Sequence, residues 1–152
     1  MYRKHKRWRV KDMEYRRFSD TIVLRVDPGE EICRVLLDVA EKENIDLAHI
    51  SGLGAINRFT TGVFDTVQKE YHANHFEGLF EIVSLTGTLT RKDGEPYLHA
   101  HLSAGDREGH VFGGHLNEAY VSATAEIIVR VIDGKVNRRM DERIGLNLYE
   151  FE

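Results

Sequence analysis

Three histidines in this 152-residue chain stand at spacings that suit a metal ion. His99 and His101 lie in YLHAHLSA, a stretch that reads as a β-strand. Side chains at i and i+2 of a strand point to the same face, so both imidazoles can reach one ion at the roughly 2.0–2.1 Å of a zinc–nitrogen bond. His115 follows Gly113-Gly114 and comes 14 residues after His101, a separation suited to a hairpin return. The glycine pair is expected to form a tight bend that carries His115 alongside the other two. His99, His101 and His115 would then leave a fourth position open to water or a ligand, as in a catalytic-type zinc site rather than a closed structural one. Three imidazoles suit zinc, and equally copper, iron or nickel.

A metal-bound water needs a nearby acid or base before it does chemistry. Glu126, charged within the otherwise apolar run of SATAEIIV, is the candidate for that role. His72 and His75 sit at i and i+3, which on a strand places them on opposite faces, so they read as exposed polar residues. His5, His49 and His110 read as structural or surface positions. Cys33 falls in a helical stretch with no histidine near it, and no Gly-x-Ser-x-Gly elbow occurs. No phosphate-cradling glycine–lysine motif is present, and Ser51-Gly52-Leu53-Gly54 lacks the third glycine of a dinucleotide fingerprint. Nucleophilic catalysis and nucleotide binding are therefore not expected.

Composition narrows the class further. Hydrophobic residues make up 41% and charged residues 30%, the balance of a folded globular chain rather than a disordered one. No apolar run approaches the roughly 20 residues of a transmembrane helix, and the charged N-terminus has no apolar stretch behind it, so neither a membrane span nor a secretory signal is expected. A single cysteine excludes an intramolecular disulfide and a cysteine-based zinc knuckle, and the cytoplasm is the expected address. The net charge of −4 hides an asymmetry: residues 1–17 carry eight Lys/Arg against Asp12 and Glu14, while the remainder holds 13 basic and 23 acidic residues. The chain thus divides into a basic arm, 1–18, and one domain, 19–152. Arg3, Lys4, Lys6, Arg7, Arg9 and Lys11 could meet DNA phosphates, although an acidic body repels a phosphate backbone.

The elements that must position these groups follow from pattern. TIVLRV, residues 21–26, alternates as a strand. Asp27-Pro28-Gly29 is expected to cap a helix over 28–43, with Ile32, Val35, Leu36, Val39 and Ala40 forming its apolar face and Asn44 its stop. Beyond it almost everything reads as strand and turn, with a bend at Ser51–Ala55, a pair at 59–67 and 70–76, a long strand at 80–90 in which Gly87 marks a close approach, and an Asp93-Gly94 hairpin. The fold class is α+β: an antiparallel-rich sheet packed with one main amphipathic helix.

Four segments in order carry a family likeness: SGLGAINRFTTGVFD (51–65), EGLFEIVSLTGTL (77–89), GEPYLHAHLSAGDREGHVFGGHL (94–116) and SATAEIIV (122–129). They resemble the plant and prokaryote conserved domain, PPC or DUF296, in its free-standing prokaryotic form. The resemblance implies an α/β fold on an antiparallel sheet and assembly as a homotrimer. It also implies a metal, zinc above all, held by histidines of the HxH and GGH segments, which by position are His99, His101 and His115. In plants this domain follows AT-hooks in nuclear proteins, which makes DNA binding the alternative function. The Arg-Gly-Arg-Pro core of an AT-hook is absent here, and Leu79 stands where the plant interaction motif has Arg.

Overall fold

The computed structural model describes residues 13–151. In chain order the elements are β1 (Glu14–Phe18), β2 (Thr21–Val26), α1 (Ile32–Lys42), β3 (Ala48–Asp65), β4 (Glu70–Lys92), β5 (Glu95–Gly105), β6 (Val111–Val131), β7 (Asn137–Asp141) and β8 (Leu146–Glu150). The antiparallel-rich sheet with one helix matches the expected fold class. Glu14–Phe18, taken from sequence as part of the basic arm, is strand β1 and pairs with β2. Among the described residues, no helix is long and apolar enough to cross a membrane.

The main sheet runs β1-β2-β6-β3-β4-β5, and β5 pairs again with β6. That last pairing closes β6, β3, β4 and β5 into a ring whose strands are all antiparallel to their neighbours. Inward residues alternate with outward ones along each strand. Ala100, Leu102 and Ala104 of β5 are buried, while His101 between them is exposed. Phe59 fills the interior, stacked on Phe76 at 4.7 Å and edge-on to Phe80 at 5.0 Å. Ile82 and Leu85 join this core, whereas Val83 and Leu79 of the same strand remain exposed.

Helix α1 buries Ile32, Val35, Leu36, Val39 and Ala40, the apolar face expected from its period. It begins four residues later than the sequence suggests, and Glu31 rather than Asp27 is its cap. The Glu31 carboxylate accepts from Cys33 N and Arg34 N at 2.9 and 2.8 Å. The delay has a tertiary cause. Gly29 N donates to Val121 O, Val121 N donates to Glu30 O, and Glu31 bridges to Tyr120, so residues 29–31 are held against β6. Asp27 instead clasps Arg25 through two hydrogen bonds. At the other end Asn44 adopts φ 52°, with Asn44 N bonded to Glu41 O and Ile45 N to Ala40 O. That is a Schellman stop, and Asn44 ends the helix as its sequence position indicates.

Two bends expected from glycine are absent. Ser51–Ala55 and Gly113-Gly114 both lie inside continuous strands, β3 and β6. Their glycines serve close approach: a Cβ at Gly113 would sit 2.4 Å from Leu102 O. The chain reverses earlier, at 106–109, where the Asp106 carboxylate accepts from Glu108 N and His110 N at 3.0 and 2.9 Å. Between Thr60 and Thr61 the β3–β6 register shifts by one: Thr60 faces Glu118 while Thr61 faces Leu116, leaving Asn117 as the extra residue of a bulge.

Candidate metal centre

His99 and His101 lie on β5 two residues apart and share the outward face. His115 reaches them because β6 pairs with β5 so that His101 and His115 are direct register partners. Gly87, directly opposite Ala100, lets β4 approach β5 beneath His99: a Cβ there would fall 2.3 Å from His99 O. The three rings pack with centroids 5.2, 5.3 and 5.8 Å apart. One nitrogen from each lies within 4.8 Å of the other two. The three residues selected by the spacing argument do converge, although the glycine pair it relied on is strand rather than turn.

The electrostatics favour neutral imidazole. Burial pushes the His99 pKa down from 6.5 to about 4, with further contributions from His115, the Arg138 guanidinium and His101. Burial and then His101 push His115 down as well. Neutral imidazoles present free lone pairs near pH 7, the form a metal requires. The donor set fits a borderline transition ion such as zinc: three imidazole nitrogens at one partly exposed spot, with no carboxylate in the group.

Residues of β4 and the β7–β8 hairpin surround the rings. Thr88 and Thr86 of β4 are the register partners of His99 and His101. The Tyr71 ring meets His115 edge-on at 6.1 Å, and its hydroxyl donates to Asn117 Oδ1. The hairpin β7–β8 folds over the β4–β5 side of the site. From it, Tyr149 donates to Thr88 Oγ1 at 3.0 Å, and Arg138 lies between the rings of Tyr97 and Tyr149 at 4.7 and 4.5 Å. Sequence reasoning missed Arg138, Tyr149 and Thr88, because nothing in NRRMD or LNLYE signals that they meet strands fifty residues earlier.

The remaining sequence candidates lie elsewhere. Glu126 is exposed on β6, in register with Arg25 and Leu53, and the structure does not bring it to the histidines. His72 and His49 are exposed, as is His110, which sits beside Asp106 at 3.2 Å. His75 is exposed too, but its Nδ1 meets Thr60 Oγ1 at 2.9 Å, next to Glu118. The Cys33 thiol is pushed well above its usual range by burial and by Glu31, which leaves it unreactive. His5 and the basic residues Arg3, Lys4, Lys6, Arg7, Arg9 and Lys11 lie outside the described residues.

The profile of the Plants and Prokaryotes Conserved (PCC) domain matches residues 13–133. The chain belongs to this family. Among solved structures, a plant- and prokaryote-conserved protein from Pyrococcus horikoshii is 36% identical, with TM-score 0.80 and coverage of 95% of this chain and 99% of that one. A metal-containing protein from Archaeoglobus fulgidus is 32% identical with the same TM-score, covering 95% of this chain and all of its own length, 100%. A protein from Bacteroides thetaiotaomicron titled a "putative dna binding protein" is 27% identical with TM-score 0.89, covering 91% and 97% of the two chains. No curated protein matches the chain. The hairpin β7–β8 lies beyond the residues matched by the PCC profile, yet it packs against β4 and against β5, which carries His99 and His101.

Proposed function

We propose that this PCC-domain protein is a metal-binding protein in which His99, His101 and His115 hold one zinc or similar divalent ion, with a remaining position open to a small ligand. The observation that carries this reading is the convergence of one nitrogen from each of three imidazoles within 4.8 Å. The A. fulgidus relative, named as metal-containing, supports it. Such an ion would act there as a Lewis acid toward a bound oxygen or nitrogen ligand. The protein's own contribution is to carry the three rings on paired strands, to hold His99 and His115 toward the neutral form, and to keep one side of the site open.

Assembly as a homotrimer belongs to the same reading. An apolar patch supports self-association: Val23 and Ile128, register partners 45% and 37% exposed, and Leu53, 56% exposed on neighbouring β3. Elemental analysis of purified, untagged protein is expected to find about one transition ion per chain, and His101→Ala to lose it while keeping its oligomeric state. No metal in wild type after zinc reconstitution would end the metal reading. DNA binding through the basic arm is the second reading, favoured by the name of the B. thetaiotaomicron relative. It requires salt-sensitive duplex binding that disappears when residues 1–17 are deleted.

A further inference from the structure

Arg138 is a buried cation without an anion among the described residues. Its side chain sits in a residue only 7% exposed, at the β7–β8 hairpin that covers β4 and β5. Every bond it makes is to a neutral group: Nε to Thr90 Oγ1 at 2.9 Å, Nη1 to Asn147 O at 3.0 Å, and Nη2 to Thr88 Oγ1 at 3.4 Å. The rings of Tyr97 and Tyr149 stack on its two sides. Its neighbour Arg139 pairs with Glu150, but Arg138 forms no ion pair among the described residues. Buried charges in proteins are normally paired, because desolvating a lone ion is costly; two aromatic faces offset only part of that cost.

The position of this charge is specific. Thr88, which accepts from both Arg138 Nη2 and the Tyr149 hydroxyl, is the register partner of His99. With its lone pairs so engaged, the Thr88 hydroxyl keeps its own proton to donate, and two guanidinium N–H groups also remain unused. Nearby, Asn147 Oδ1 is buried with no hydrogen-bond partner. A divalent ion on three imidazoles would add two positive charges with no carboxylate in the ligand group. Among the described residues, the groups named here around the site are thus neutral or cationic, and a negative group would complement them.

We propose that the small ligand accepted at the three-histidine site is an anion carrying a carboxylate, and that Arg138 selects it. This rests on the metal reading above. The ligand's carboxylate takes the open position on the ion while the buried guanidinium, acting directly and through Thr88, stabilises its charge. A neutral ligand gains nothing from Arg138. A fixed guanidinium beside a partly exposed site is expected to change anion affinity by about tenfold.

The test uses full-length protein loaded with cobalt(II), whose visible absorption reports ligand exchange, titrated with acetate and with imidazole. In wild type both are expected to perturb the spectrum. Arg138→Gln should bind acetate at least about tenfold more weakly with imidazole affinity unchanged, and Arg138→Lys should recover most of the acetate affinity. Asn147→Asp is a second route that keeps the side-chain shape: it gives Arg138 a carboxylate neighbour, and should weaken acetate binding selectively even if Arg138→Gln does not fold. Acetate affinity equal in wild type, Arg138→Gln and Asn147→Asp overturns the proposal while leaving the metal centre standing. Absence of cobalt bands in the wild-type protein overturns both.

Discussion

Arg91 and Arg138 are buried to nearly the same depth, 6% and 7% exposed, in contrasting company. Arg91 reaches Asp46 at 3.1 Å, Glu41 at 3.6 Å, Asn44 Oδ1 at 3.4 Å and Gly94 O at 3.2 Å. It ties the β4–β5 hairpin to the end of α1, and its charge is answered within the fold. Arg138 has hydroxyls, a carbonyl and two aromatic rings, and among the described residues its charge is unanswered. A buried ion pair completes a structure, whereas a buried lone ion leaves a demand that something outside the chain can meet.

The difference can be broken by measuring stability. Arg91→Met removes charge-assisted bonds to two carboxylates and is expected to cost about 2–3 kcal/mol by urea denaturation. Arg138→Met strands no carboxylate and keeps much of the packing between the two tyrosines, so its cost should be about 1 kcal/mol or less. An equal or greater loss at Arg138 would make it a structural fastening like Arg91 and dissolve the contrast.

The pH response sharpens it. His99 titrates near pH 4 when folded, while an unfolded histidine takes up its proton near pH 6.5. Between these values the unfolded chain binds more protons, so the metal-free protein should lose stability as pH falls from about 6.5 to about 4. The charge of Arg138 contributes to that depression, so Arg138→Met should show a shallower decline than wild type, and Arg91→Met the wild-type slope. Denaturation series at pH 7 and pH 5 on metal-free proteins would decide; identical slopes in all three would exclude an Arg138 field at His99. The smallest effect belongs to an exposed arginine: Arg143, paired with Asp141 at 3.4 Å and largely in water, should change stability by less than about 0.5 kcal/mol when replaced by Ala.

How much of this was legible in the sequence depends on the range of the interactions. The His99–His101 pair follows from a period of two and needs no tertiary knowledge. His115 is legible as a separation, but the sequence suggests a glycine bend where there is a continuous strand, because two glycines mark close approach as readily as a turn. The apolar face of α1 and its stop at Asn44 are local and were readable. Its start was not, since pairing of residues 29–31 with β6 overrides an otherwise good cap at Asp27. Glu126 drew attention as a charge in an apolar run, yet it is an outward residue of an alternating strand. Arg138, Thr88 and Tyr149 were illegible because only the folding of a distant hairpin onto β4 brings them together.

The bulge at Asn117 couples site and core through residue count. Below it, His115 faces outward while its neighbour Leu116 is buried; above it, Ala119 and Val121 face inward. Both ends of β6 are correctly phased only because one residue is surplus between them. Loss of Asn117 would leave all three histidines in the chain, but either His115 would turn through the pleat or the upper strand would present its apolar side to water. Over evolutionary time this stretch can therefore exchange side chains far more readily than it can change length, and a homologue that keeps the three histidines with altered spacing between 115 and 119 would carry the letters of the site without the site.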